Sequence, residues 1–220
     1  HGWGVSSYLW RHNLRALGDA GHRAVAIDLP GHGLSDAPET PGAYTLDRFT
    51  QHLTAALDAL AMPRAVIAAQ SMAGKVAVRL ALEAPERVRS LVLFGPVGFG
   101  LIPPWQALAP IIPMLPGTVP SQLVPRRVVD FVQRRVYGKL GWFSERDVDE
   151  YWAPTQFPQV VRAQLQMLKE FDWAPWSPEA VGALRVPTQV VFGSRDRTVR
   201  PVHAERLTAA LRDGGLTWIH

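Results

Sequence analysis

Hydrophobic and polar residues along the chain follow two periods. Short, nearly unbroken apolar runs stand at 22–29 (HRAVAIDL), 65–70 (AVIAAQ), 90–96 (SLVLFGP) and 188–193 (TQVVFG). Runs of this length, bounded by Gly, Pro or polar residues, predict strands buried on both faces. Between the early runs, apolar residues recur every three or four positions. Trp10, Leu14 and Leu17 do so behind Ser6 and Ser7, and Leu53, Leu57 and Leu60 behind Thr50; each time a hydroxyl side chain stands ready to cap a helix. A third helical pattern runs through Val76 and Leu80 and stops at Ala84-Pro85, because a residue before proline is steered out of the helical region. Strands alternating with helices predict an α/β fold, a parallel sheet covered on both faces.

From about Pro96 to Pro187 the rhythm changes. Prolines crowd positions 103–125, and Trp105, Trp142, Trp152, Trp173 and Trp176 supply most of the tryptophans. The pattern predicts a helical insertion with its own small core, placed to act as an apolar lid over a pocket at the sheet's C-terminal edge. The expected division is a first core segment at 1–96, a helical cap at 97–180 and a second core segment at 181–220.

Composition narrows the classes. With 220 residues, 47% of them apolar, the chain can bury a full core in a single domain or a domain with an insertion. The net charge of +4 is interspersed, and the most basic stretch, PRRVVDFVQRR at 125–135, has its arginines broken up by apolar residues. That predicts a helix with a solvated face rather than a nucleic-acid or membrane surface, so no nucleic-acid partner is expected. With no cysteine there is no disulfide and no thiol nucleophile. No apolar run reaches the roughly 18 residues a membrane span needs. A cytoplasmic location is favoured, and a sequence opening on His1 predicts a fragment of a longer chain.

Acyl-bond hydrolysis needs a nucleophile, a base, a group to orient the base, and donors for the developing oxyanion. Ser71 lies where the run 65–70 meets the helix starting near Met72, so unpaired N–H groups of the helix N-terminus face it. The usual pattern G-x-S-x-G is altered: Ala69 and Ala73 replace both glycines. Read locally, Ser71 is either a nucleophile or a turn serine. HGWG at 1–4 permits a turn that presents backbone N–H groups to a ligand. FGSRDRTV at 192–199 sets Asp196 just past a strand end, where it either orients a histidine or pairs on the surface with Arg195 or Arg197.

Taken together, four segments in order resemble the alpha/beta-hydrolase superfamily, over nearly the whole chain. HGWG resembles the oxyanion loop after the third strand, and DLPGHGLSD at 28–36 the loop after the fourth. The stretch AAQSMAGKVAVRLALEAPERVRSLVLFGP resembles the nucleophile elbow, its helix and the sixth strand, and VPTQVVFGSRDRTV at 186–199 the seventh strand and its acid loop. The resemblance implies a serine hydrolase with Ser71 as nucleophile and Asp196 as acid. The backbone N–H groups of Trp3 and Met72 would form the oxyanion hole, and His1 and Gly2 would shape its loop. An acid after the sixth strand, used by some members, finds no carboxylate in VGFGLIPP at 97–104. Haloalkane dehalogenases and epoxide hydrolases of this fold carry an aspartate at the position of Ser71, which argues against both activities.

The base is expected in the loop after the eighth strand, which LTWIH at 216–220 resembles. The family's histidine falls a few residues past that strand's end, beyond residue 220; His220 itself is the less favoured candidate. His32 and His203 are expected to be structural or surface residues. The resulting expectation is a fragment lacking the strands before HGWG and the segment with the base, and inactive for want of that histidine. The parent activity expected is hydrolysis of a carboxylic ester or related acyl bond through an acyl-enzyme, on an apolar small-molecule substrate, with no cofactor and no metal. HGWG also resembles carboxylesterases acting on methyl esters of carrier-protein-bound acyl chains. Carbon–carbon bond hydrolysis, lactone hydrolysis, perhydrolysis, or non-catalytic ligand binding are the alternatives.

Overall fold

The computed structural model describes residues 1–100, 124–137 and 143–220. Trp105, Trp142 and the stretch 101–104 lie outside the described residues. In chain order the elements are α1 (Arg11–Asp19), α2 (Leu46–Ala59), β1 (Ala65–Gln70), α3 (Met72–Glu83), β2 (Val88–Phe94), α4 (Arg126–Tyr137), α5 (Glu145–Trp152), α6 (Pro158–Glu170), α7 (Pro178–Gly182), β3 (Thr188–Gly193), α8 (Ala204–Thr208) and β4 (Gly214–Ile219). They fall into two compact units. One comprises His1, Trp3–Ala43 and Ala109–Lys169; the other comprises Gly2, Tyr44–Leu108 and Glu170–His220.

The second unit holds a four-stranded parallel sheet in the order β1-β2-β3-β4. Gln70 stands beside Phe94, Phe94 beside Val191, and Gly193 beside Ile219, so the strands end along one carboxyl edge. Helix α3 packs on β1 and β2, α2 on α3, and α8 on β4. Val76, Ala77 and Leu80 of α3 are buried, as are Leu91 and Leu93 of β2 and Val190 and Phe192 of β3. Each fully buried Leu or Phe contributes about 1.5–3 kcal/mol, and this apolar layer fixes the sheet that carries the site.

Three of the four apolar runs become strands, with β2 starting two residues before its run and β4 covering LTWI. The run 22–29 does not. Its residues are in no strand, and Val25 is 43% exposed. An apolar run becomes a strand only when a neighbour completes its ladder of hydrogen bonds, and no described strand lies beside it. Helix α2 also starts a turn earlier than its leucines suggest. Thr45 caps it by accepting the Arg48 N–H at 3.3 Å, while Thr50 lies buried inside, its hydroxyl donating to the Leu46 carbonyl.

In the first unit, Ser6 caps a 3-10 turn at Ser7–Trp10 that leads into α1, and α4 packs on α5. Ser144 and Asp147 form a reciprocal capping box at the start of α5. The carboxylate of Asp147 also accepts from the Tyr8 hydroxyl at 2.9 Å and pairs with Arg11 at 2.7 Å. The basic stretch at 125–135 is helical, as its pattern predicts. No helix among the described residues is long and apolar enough to cross a membrane.

Candidate active site

Ser71 sits on the bend between β1 and α3 with φ +52° and ψ −118°, a region that side-chain-bearing residues rarely adopt. Its backbone is held on both sides. The N–H donates to the Phe94 carbonyl at 3.0 Å, and the carbonyl accepts from Gly74 at 3.0 Å and Val97 at 2.9 Å. These three bonds sustain a conformation that would otherwise cost on the order of 1–3 kcal/mol. The side-chain Oγ makes no hydrogen bond among the described residues. Met72 opens α3 directly after it, so the Met72 N–H is one of the helix's unpaired initial donors.

The two alanines of the altered motif fit without difficulty: Ala69 is buried in the sheet and Ala73 is half-buried. The demanding position is Gly74, where a Cβ would stand 2.6 Å from Pro96 Cβ and 3.1 Å from Pro96 Cα. Its signal is a glycine in the first turn of a helix rich in Ala, Val and Leu, where it costs about 1 kcal/mol of helix propensity and points to a close backbone approach. Gly2 is equally constrained: a Cβ there would lie 2.5 Å from Gln70 Oε1, 2.8 Å from Ser71 Cβ and 3.2 Å from Ser71 Oγ. The loop segment carrying Gly2 therefore reaches Ser71 only because it has no side chain.

Asp196 lies in the turn after β3, on the same carboxyl edge as Ser71 with β2 between them. The strands that lead to them are two spacings apart, at about 4.8 Å per spacing. Asp196 Oδ1 accepts the Thr198 N–H at 2.7 Å and the Val199 N–H at 3.0 Å. A Cβ on Gly95, at φ +48°, would stand 3.0 Å from Asp196 Oδ2. Burial raises the carboxyl above the usual carboxylate value, and the two amide donors offset part of that rise. Among the described residues Asp196 forms no ion pair with Arg195 or Arg197.

The remaining candidates are placed as follows. Trp3 belongs to the first unit, where its indole N–H donates to the Gln164 carbonyl at 3.1 Å. His1 and His32 are buried in that unit, with their rings edge to face at 4.9 Å. His1 Nε2 accepts the Leu29 N–H at 2.9 Å, and His32 Nδ1 lies 3.1 Å from the Pro30 carbonyl. Burial depresses the His32 pKa to about 4, so it is neutral at pH 7. Asp28 ties the same loop together by accepting from Ser7 N–H at 2.6 Å and Leu34 N–H at 3.0 Å. His203 precedes α8 as its N-cap without a side-chain cap bond. His220 is exposed beyond β4, with no hydrogen bond to Asp196 among the described residues. The structure thus brings Gly2, Ser71 and Met72 together and sets Asp196 on their sheet edge, and no hydrogen bond joins a histidine to either Ser71 or Asp196 among the described residues.

A strained serine at a strand-to-helix bend, with a carboxylate loop two strands away on a parallel sheet, has a match in sequence: the alpha/beta hydrolase fold family matches residues 1–217. The chain belongs to that family. This alpha/beta hydrolase is 42% identical over 100 residues, 46% of its length, to the dihydrolipoyllysine-residue acetyltransferase component of the acetoin cleaving system of Cupriavidus necator. It is 31% identical over 206 residues, 89% of its length, to a haloalkane dehalogenase of Mycolicibacterium paratuberculosis. The chain spans 26% and 66% of the lengths of those two relatives. Among solved structures it resembles a meta-cleavage product hydrolase of Pseudomonas fluorescens IP01 in complex with acetates. The TM-score is 0.77 at 25% identity, covering 99% of this chain and 78% of that one.

Proposed function

We propose that this alpha/beta hydrolase is a serine hydrolase that cleaves a carboxylic ester or related acyl bond through an acyl-enzyme. The observation that carries the reading is Ser71 at φ +52° on the bend between β1 and α3, its Oγ free of hydrogen bonds among the described residues. Ser71 Oγ attacks the acyl carbon, and the Met72 N–H donates to the oxygen that gains charge. A histidine following β4 takes the serine proton and returns it to the leaving alcohol, and Asp196 orients that histidine. Water then releases the acid by the same route in reverse roles. The similarity to a haloalkane dehalogenase does not extend the reading to halide displacement, since a serine stands at the nucleophile position that the dehalogenases fill with aspartate.

A second reading, hydrolysis of a carbon–carbon bond on the same residues, is favoured by the likeness to a solved meta-cleavage product hydrolase. The test is a panel of p-nitrophenyl esters of increasing chain length against vinylogous diketone and lactone substrates, with the full-length protein and its Ser71→Ala variant. Ester turnover that exceeds diketone and lactone turnover and disappears in the variant supports the reading. Turnover confined to the diketone moves the assignment to carbon–carbon cleavage, and ester turnover that survives Ser71→Ala overturns it.

A further inference from the structure

Lys75 lies on α3 one turn after Ser71, and its side chain is 1% exposed. The rest of that buried face is apolar: Met72, Val76, Ala77, Val78, Leu80 and Ala81. A cation in the first turn of a helix opposes the helix dipole, and burying it adds a desolvation cost of several kcal/mol. Both costs are met by one short segment. The ammonium donates to the Ala174 carbonyl at 2.6 Å, pairs with Asp172 Oδ2 at 2.8 Å, and stands 4.9 Å from the centre of the Trp176 ring.

Trp176 passes the constraint on. Its backbone N–H donates to the Gly98 carbonyl at 2.9 Å, and its ring lies so close to Gly98 that a Cβ there would stand 2.5 Å from Trp176 Cδ1. Gly98 itself has φ +98°. The segment it ends, 94–98, touches Ser71, Gly74 and Asp196. The Phe94 carbonyl and the Val97 N–H hold Ser71, Pro96 packs on Gly74, and Gly95 faces Asp196 Oδ2.

We propose that Lys75, with Asp172, is a positioning residue: through Trp176 it clamps 94–98 against α3 and so fixes both the bend at Ser71 and the seat of Asp196. The proposal rests on the reading of Ser71 as the nucleophile. A buried ion pair is a weak source of stability, and an apolar replacement of similar volume is often neutral or stabilising. The clamp therefore shows in the precision of the site rather than in the melting temperature.

The test uses the full-length protein and two variants, Lys75→Met and Asp172→Asn; the Asp172 side chain is 55% exposed, so the second variant leaves the core intact. Two readouts are taken: kcat and KM on a p-nitrophenyl ester, and amide exchange in peptides covering 94–99 and 65–70. The expected result for Lys75→Met is a kcat lower by about 10- to 100-fold with KM little changed, the loss expected from a small misplacement of reacting groups. The Val97 and Phe99 amides exchange faster while β1 does not, and Asp172→Asn moves both readouts the same way by less. Faster exchange at 94–99 in a protein that hydrolyses no ester supports the clamp while the ester reading fails. Unchanged exchange and kcat in both folded variants, or a raised KM at unchanged kcat, overturns the proposal.

Discussion

Gly74 rests on Pro96 so closely that a Cβ at position 74 would come within 2.6 Å of the proline's Cβ and 3.1 Å of its Cα. An alanine there would gain about 1 kcal/mol of helix propensity. The contact at Pro96 opposes it with an overpacking cost of about 1–3 kcal/mol, because a proline backbone held between Gly95 and Val97 cannot swing aside. The second effect wins. Gly74→Ala is expected to lower the melting temperature and to reduce kcat on an ester, whereas Ala73→Gly, at a half-buried position, leaves kcat within a few-fold of the parent. Equal stability of Gly74→Ala and the parent would show that the approach of α3 to Pro96 is not tight.

The conformation of Ser71 predicts an order of stabilities among its replacements. Inside a helix glycine is less stable than alanine by about 1 kcal/mol, whereas at the N-cap position that Ser71 holds the order reverses. At φ +52° the alanine keeps the backbone strain and the glycine relieves it, so Ser71→Gly is expected to equal or exceed Ser71→Ala by up to about 1 kcal/mol. Chemical denaturation of the two variants decides it, and both are expected to be inactive.

Asp196 is held at a cost to stability. Its folded pKa is raised by burial, so between the unfolded value and the raised folded value the native state binds more protons than the unfolded state. The resulting penalty is absent below the unfolded value and complete once pH exceeds the folded value. Asp196→Asn removes the charge and keeps an oxygen for the Thr198 and Val199 amides. Its melting temperature at pH 7 is expected not to fall, while turnover drops by about 10⁴-fold, the size of loss seen when a triad carboxylate becomes an amide. A variant that loses stability and keeps its activity would assign Asp196 a structural role.

His32 predicts an acid limb. With a folded pKa of about 4 against an ordinary 6.5, the unfolded state takes up the proton first. The stability tied to the neutral ring is complete above pH 6.5, declines as pH falls toward about 4, and is lost below that. The difference corresponds to about 3 kcal/mol. Urea titrations at several pH values are expected to give a shallower slope over that window in His32→Asn than in the parent; an identical slope would locate the acid sensitivity elsewhere.

The sequence disclosed the parts of this molecule that depend on local pattern. The runs at 65–70 and 188–193 became strands over those residues, and the serine between β1 and α3 lies on the bend that its neighbours imply. What escaped the pattern depends on contacts between distant segments. The run 22–29 looks like its neighbours but has no strand partner among the described residues. Attention to Ala69 and Ala73 missed Gly74, because only Pro96, more than twenty residues on, makes that glycine necessary. Nothing near Lys75 in sequence announces its contacts with Asp172, Ala174 and Trp176. Asp196 was visible as a carboxylate past a strand end, but that it forms no ion pair with Arg195 or Arg197 among the described residues is a property of the folded turn.

The central claim is that Ser71 is a nucleophile activated for acyl transfer. The most direct measurement is reaction of the full-length protein with a fluorophosphonate, followed by mass spectrometry of the peptide spanning 65–79. A single phosphonyl adduct on Ser71, absent from Ser71→Ala and slowed in Asp196→Asn, is the predicted result. Absence of an adduct on Ser71 under conditions that label a control serine hydrolase would contradict it.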